Sequence, residues 1–193
     1  MKTLTKMDSE IKKCVDLLLD GKVILYPTDT VWGIGCDATN VEAINRIYKI
    51  KERQERKSLI ILLDNENKLP LYVSKIPLIA WDLLAHTYRP TTYIYPSAKN
   101  LPQELIPSDG TIAIRIVKNK FCQKLIHQLG RPLISTSANI SEHPTPQIFQ
   151  EIAPEILERV DYIVPNEFDE ARDLKPSRLI KFMDDYNFVI IRE

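Results

Sequence analysis

Hydrophobic and polar positions along this chain follow two alternating periods, one typical of helices and one typical of strands. Apolar residues recur at helical spacing between Asp8 and Gly21 and in the segments 41–48, 77–84 and 121–129. Short β-branched or apolar runs predict strands at 23–25, in the run that ends at Leu63, and at 93–95, 111–117, 133–135, 160–164, 178–182 and 188–191. Helices and strands alternate first and strands dominate the end, so the pattern predicts an α/β fold with a mixed sheet.

Local signals refine these elements. Asp8 or Ser9 is expected to cap the first helix, and Thr39 with Glu42 has the spacing of a capping box for the second. Segment 147–152 is expected to form a short helix, and a hairpin is expected to turn at Asp184 and Asp185. No repeat or long linker divides the 193 residues, so we predict one domain over 1–193.

Composition narrows the function classes. Lysine plus arginine and aspartate plus glutamate both number 26, whereas a protein that mainly binds nucleic acid non-specifically is usually basic. No run of apolar residues is long enough to span a membrane, and the N-terminus lacks the apolar core of a signal peptide, so we expect a cytosolic protein. The three cysteines form no metal-binding pair, and we predict no metal site built by the protein. Cys36 would need a neighbouring base to act as a nucleophile.

The stretch from Lys22 to Leu63 contains the richest candidate chemistry. A short strand is followed by Thr28-Asp29-Thr30, by Gly33 and Gly35, which allow a bend or close approach to a ligand, by a helix and by a basic loop. In that loop Lys51, Arg53 and Lys57 can converge on phosphate oxygens, although a solvated charged turn accounts for the segment equally simply.

Two further segments suggest a ligand site. Ser135-Thr136-Ser137-Ala138-Asn139 follows a predicted strand, where small hydroxyls can bind phosphate, ribose or carboxylate, or can satisfy the turn itself. Arg115 lies inside an apolar strand and therefore needs either an internal acid or a cavity that holds an anion. Walker A, HExxH and GxSxG motifs are absent from the sequence.

Together these segments resemble the YrdC/Sua5 family of threonylcarbamoyl-AMP synthases. The resemblance rests on YPTDTVWGIGCDA (26–38), the KxR of Lys51-Glu52-Arg53, TIAIRI (111–116) and STSANIS (135–141), with weaker similarity in KPSR (175–178) and IIR (190–192). It covers almost the whole chain, in the short form that lacks the additional C-terminal Sua5 domain. It implies an open twisted sheet with a large, positive, concave cleft.

The resemblance also implies an activity: formation of L-threonylcarbamoyl-AMP and pyrophosphate from L-threonine, bicarbonate and ATP, with Mg²⁺. Such enzymes are nucleotidyltransferases whose product serves the t6A modification of tRNA. Partners implied are transfer proteins of the TsaD type and tRNA or double-stranded RNA.

Matching the family's motifs assigns roles to individual residues. Lys51 and Arg53 are expected to be catalytic, by neutralising charge on the phosphates. The residues expected to bind threonine are Thr30, Arg115, Ser135 and Ser177. Those expected to bind ATP are Lys51, Arg53, Lys57, Thr111, Ser137, Asn139, Thr145 and Arg192. No general base is assigned.

Three departures from the family pattern are apparent. Glu142 stands where relatives have glycine, Tyr88-Arg89-Pro90 replaces a proline-glycine-proline turn before Thr92, and Leu62 aligns with a histidine. They leave open a non-catalytic relative. Two different functions also remain open: a double-stranded RNA-binding module, and a carbamoyl-adenylate-forming domain like that of hydrogenase maturation factors.

Overall fold

The computed structural model describes residues 5–52, 59–170 and 174–193. Within these ranges the α-helices are α1 (Lys6–Leu19), α2 (Val41–Ile50), α3 (Leu69–Tyr72), α4 (Leu78–His86), α5 (Lys120–Leu129) and α6 (Pro154–Arg159). The same ranges contain 3-10 turns at Glu66–Lys68, Gln103–Leu105, Phe149–Glu151 and Asn166–Phe168. No helix in the described ranges is long and apolar enough to cross a membrane.

The strands form one mixed sheet, as predicted. They are β1 (Ile24–Tyr26), β2 (Gly33–Gly35), β3 (Ile60–Leu63), β4 (Thr91–Tyr95), β5 (Ile112–Ile116), β6 (Leu133–Ser137), β7 (Tyr162–Ile163), β8 (Arg178–Phe182) and β9 (Phe188–Arg192). Their order in the sheet is β7-β1-β2-β6-β3-β5-β4-β8-β9. Parallel pairs (β3 with β5, β4 with β8, β1 with β7) alternate with antiparallel ones, and β8 with β9 is the expected hairpin.

One face of the sheet is covered over most of its width. Side chains of alternate strand positions, such as Leu25, Ile61 and Ile114, are fully or almost fully buried there with Ile44 and Ile47 of α2. This face supplies the larger apolar core.

The opposite face is covered only in part. There α1 and α5 pack on the ends of the central strands, where Leu62, Val117 and Leu133 are completely buried. Beyond the two helices the same face stays open and its side chains become polar. The fold therefore leaves one concave region on an otherwise covered sheet.

Helix capping differs from the prediction at two places. Helix α1 begins one turn earlier, because Thr5 accepts from the Asp8 backbone N–H at 3.1 Å and the Asp8 carboxylate accepts from Thr5 N in a reciprocal capping box. Helix α2 is capped by Asn40, whose side chain accepts from Ala43 N at 3.0 Å. Thr39 instead bonds to Asp37, so its predicted box with Glu42 is wrong.

Other local predictions also change. Gly33–Gly35 is a strand rather than a loop, and a Cβ on Gly35 would lie 2.3 Å from the Ile134 carbonyl oxygen, so this glycine serves strand contact. Segment 147–152 forms a 3-10 turn at Phe149–Glu151 in place of a short helix. Cys36 is completely buried, and burial raises the pKa of its thiol, which opposes a role as nucleophile.

Candidate functional site

The open part of the sheet contains a cavity of about 200 Å³. Ser135 and Ser137 of β6, Arg115 of β5 and Thr92 of β4 contribute polar side chains from adjacent parts of one face. The loop before β2 and the segment around Ser177 form opposing walls. Three separate sequence segments that resemble family motifs therefore meet at a single cavity.

Arg115 is the charged group at the base of this cavity, and it is only 3% exposed. Its guanidinium donates to Thr30 Oγ1 at 3.1 Å and lies 3.2 Å from the Asp29 carboxylate. The Asp29 contact is an ion pair without hydrogen-bond alignment, since that oxygen, Oδ1, is buried without a hydrogen-bond partner. Arg115 Nε is also buried without one. Both expectations for Arg115 thus hold, because it has an internal acid and also lines a cavity.

The Thr28-Asp29-Thr30 turn positions its own side chains before β2. Thr28 Oγ1 donates to the Val31 carbonyl at 2.8 Å and accepts from Thr30 N at 3.0 Å. Both threonines are buried, at 1% and 2% exposure. Asp29 is held by the Lys118 backbone N–H at 3.3 Å. The turn is therefore rigidly bonded and presents Thr30 toward Arg115.

Lys51 ends α2 and is 1% exposed despite its charge. Its ammonium donates to the Ser137 carbonyl at 2.6 Å and to Asn139 Oδ1 at 3.1 Å. Its own carbonyl accepts from Ser141 N at 2.9 Å. Lys51 thus positions the hydroxyl-rich loop after β6 and places a cation directly behind Ser137. Asn139 further donates to the carbonyls of Ile140 and His143.

The wall at Ser177 joins β4 to the chain end. Thr92 Oγ1 and Ser177 Oγ are 2.8 Å apart, and both residues are buried. Arg192 donates to the Ser177 carbonyl through Nε at 3.1 Å and a terminal nitrogen at 2.8 Å. Burial and the charge of Arg115 lower the pKa of Arg192. Two guanidinium groups therefore influence one cavity, which favours an anionic occupant.

The residues named from sequence separate into three groups. Those that line the cavity are Thr30, Arg115, Ser135, Ser137, Thr145, Ser177 and Arg192. Lys51 and Asn139 adjoin it through Ser137. Thr111 does not line it and instead donates to Asp109 at 2.7 Å. Arg53 and Lys57 lie outside the described residues.

Several cavity residues were missed by the sequence reasoning. Thr92 was noticed only as an alignment position, and Trp32 was not singled out, although its Nε1 donates to Asp169 at 2.7 Å and its ring contacts Phe149. A tryptophan between Thr30 and Gly33 was the available signal. Asp29 was named only as part of its cluster, and its pairing with Arg115 depends on the fold.

Comparison with known proteins agrees with this geometry. The Sua5–YciO–YrdC family model, described as telomere recombination, matches residues 16–193. The chain belongs to the Sua5–YciO–YrdC family. A threonylcarbamoyl-AMP synthase of Pseudoalteromonas translucida is 37% identical over 159 residues, which is 81% of this chain and 85% of that protein. One of Vibrio cholerae is 33% identical over 180 residues, covering 87% and 96%.

Solved structures of Sua5–YciO–YrdC proteins share the fold. P. abyssi Sua5 complexed with L-threonine superposes with a TM-score of 0.83 at 27% identity, covering 94% of this chain and 53% of that one. E. coli YciO gives a TM-score of 0.81 at 26% identity, covering 95% and 88%. This chain therefore spans about half the length of that Sua5 protein.

One departure from the family pattern now has a physical description. Glu142, at the position where relatives of this family have glycine, adopts a φ of 71°. This left-handed conformation is one that glycine adopts without steric cost. The loop thus keeps the backbone that the glycine would favour, and its side chain is exposed.

Proposed function

We propose that this chain is a threonylcarbamoyl-AMP synthase: it forms threonylcarbamoyl-AMP and pyrophosphate from L-threonine, bicarbonate and ATP. The observation that carries the proposal is Arg115, which lies buried at the base of a polar cavity between Thr30 and Asp29. The relatives named above as synthases and the P. abyssi structure with L-threonine support the same choice.

The enclosed part of the cavity suits the amino acid rather than the nucleotide. Its volume of about 200 Å³ is below the range of roughly 300–1,000 Å³ usual for drug-sized ligands. Arg115 is the group for the threonine carboxylate, since a guanidinium binds a carboxylate through two parallel hydrogen bonds. Thr30, Ser135 and Ser177 supply hydroxyls around it.

The nucleotide belongs along the opening, past Ser137. Ser137, Thr145 and Arg192 line that side, and Lys51 supports Ser137 from behind. Lys51 acts here chiefly by orienting the loop and by placing positive charge near the phosphates. Arg53, Lys57 and Thr111 remain sequence-based predictions for the same nucleotide.

The chemistry requires orientation and charge neutralisation rather than a covalent enzyme intermediate. The threonine nitrogen attacks bicarbonate, and a carbamate oxygen then attacks the α-phosphorus of ATP as the bond to pyrophosphate breaks. Among the described residues no three histidine, cysteine, aspartate or glutamate side chains cluster to hold a metal. We therefore assign Mg²⁺ to the substrate, as MgATP, held by phosphate oxygens.

A direct assay tests the proposal. The protein is incubated with MgATP, bicarbonate and labelled L-threonine, and the products are separated by chromatography. Threonylcarbamoyl-AMP and an equal amount of pyrophosphate are expected. Omission of bicarbonate or replacement of L-threonine by L-valine, which lacks the hydroxyl, is the matched control. Absence of product at every magnesium concentration would refute the activity.

The wider assignments follow from the activity. We propose that the product serves t6A modification of tRNA through a transfer protein of the TsaD type in the cytosol. RNA binding with a steep salt dependence and no turnover would instead favour an RNA-binding module.

A further inference from the structure

A second cavity, of about 320 Å³, lies on the other face of the same strands. Thr92 and Arg115 face the candidate functional site, whereas their neighbours Thr91 and Ile116 line this second cavity. Alternate strand residues point to opposite faces. We call it the α4 cavity, because Trp81, Leu84 and Ala85 of α4 form one of its walls.

The α4 cavity has an apolar interior and a charged rim. Trp81 and Leu84 face Tyr93 and Ile116 across it, and Lys118 stands at its edge. Its volume is within the range of small-molecule pockets, which are mostly apolar with a few polar groups. It has the composition of a ligand site, without a role in the reaction proposed above.

Helix α4 is itself more exposed than its sequence favours. Apart from Asp82 and His86 it is entirely apolar, yet only Ala80 is fully buried. Trp81 remains 40% exposed and Leu78 56% exposed. A helix that is apolar on all sides is normally buried. An occupant of the α4 cavity would cover part of this surface at Trp81 and Leu84.

The charges indicate an occupant with a single negative charge. The Lys118 ammonium has one hydrogen bond among the described residues, to the Thr87 carbonyl, which leaves two of its donors available. Arg89 already lies 3.7 Å from Glu193. Glu66 also lines the cavity and would repel a dianion such as a phosphate monoester.

We propose that the α4 cavity binds a small apolar molecule carrying one carboxylate, with its body between Trp81 and Tyr93 and its carboxylate on Lys118. This site is separate from the proposed reaction. Lys118 also connects the two, because its backbone N–H holds Asp29, which pairs with Arg115.

The test uses the full chain labelled with 5-fluorotryptophan. Its two tryptophans, Trp32 and Trp81, give two ¹⁹F resonances, which Trp81→Phe assigns. Titration with 3-phenylpropionate should shift the Trp81 resonance saturably, and 3-phenylpropionamide, which lacks the charge, should bind about 10-fold more weakly. No shift up to about 10 mM, or equal affinity for the two compounds, would overturn the proposal.

Variants separate charge from folding. Lys118→Met should reduce affinity for 3-phenylpropionate about 10-fold while leaving the weaker binding of the amide unchanged, which also shows that the cavity is intact. Lys120→Met removes an exposed cation that does not line the cavity and should behave as the unmodified chain. Equal loss in both variants would indicate general electrostatics and contradict the assignment of Lys118.

The link to Arg115 is tested by reciprocity, and this part rests on the proposed function. L-threonine and 3-phenylpropionate should change each other's affinity by the same factor. Independent binding of the two would overturn the link. Failure of L-threonine to bind would concern the proposed function, whereas the titration with 3-phenylpropionate alone would still decide the α4 cavity.

Discussion

Two halves of one sheet face show how this fold separates stability from chemistry. In the covered half, Leu133 of β6 and Leu62 of β3 are completely buried under α1 and α5. Two residues further along β6 and beyond the helices, Ser135 lines the candidate site, as Arg115 does on β5. The strands continue with the same register, while the side chains change from apolar to polar where helix cover ends.

The polar half is nevertheless well buried and internally bonded. Thr28, Thr30, Ser135 and Arg115 are each at most 5% exposed. Their hydrogen bonds offset the cost of removing polar groups from water. We therefore expect substitutions in the covered half to lower stability and those in the open half to lower activity.

The largest effect is expected at Lys51. Lys51→Met removes the cation that holds Ser137 and Asn139, and turnover with ATP should fall about 100-fold or more, as when one preorganised electrostatic contact is lost. Steady-state kinetics measure this. Lys49→Met, which removes an exposed cation from the same helix, should retain full turnover, and wild-type turnover in Lys51→Met would refute its role.

The next effect is on the covered half. Leu133→Ala leaves a cavity beneath α1 and α5 and should lower the free energy of unfolding by about 2–5 kcal/mol. Urea unfolding followed by circular dichroism measures it. Ser135→Ala, on the same strand and face, should change stability far less and weaken L-threonine use instead. If the two variants were equally destabilised, the two halves would not differ as described.

A smaller effect is expected at the base of the site. Arg115→Lys keeps the charge beside Asp29 but loses the planar guanidinium, so the KM for L-threonine should rise about 10-fold with little change in the KM for ATP. The control is Arg131→Lys, because Arg131 pairs with buried Asp37 at 2.6 Å outside the cavity. An unchanged threonine KM in Arg115→Lys would count against pairing with the carboxylate.

The smallest effect concerns the capping of α1. Hydrogen bonds from the Lys124 side chain and from Thr5 lower the pKa of Asp8 from 3.8 to about 2. Because the folded pKa is depressed, this stabilisation is complete above the unfolded value of 3.8 and is lost as the pH falls toward 2. The urea midpoint should drop in that window less steeply in Asp8→Asn than in the unmodified chain. Identical slopes would contradict the prediction.

Much of the fold could be predicted from local pattern. The periodicity that predicted α2, α5, β5 and the β8–β9 hairpin is produced by burial on one face, which acts on residues close in sequence. Caps were less predictable, because Thr5, Asn40 and their neighbours all have suitable side chains and small differences select among them. Gly35 was misjudged because its constraint comes from Ile134, on a strand that is distant in sequence.

The site divides in the same way. Its motifs can be recognised in sequence, since the residue types at Thr30, Arg115 and Ser135–Asn139 reflect chemistry that few other patterns share. What sequence could not show is how these groups are paired: Asp29 with Arg115, Thr92 with Ser177, and Lys51 with the Ser137 carbonyl. These contacts join segments that are far apart along the chain. They form only when the sheet brings the segments together and the two helices leave that part of its face uncovered.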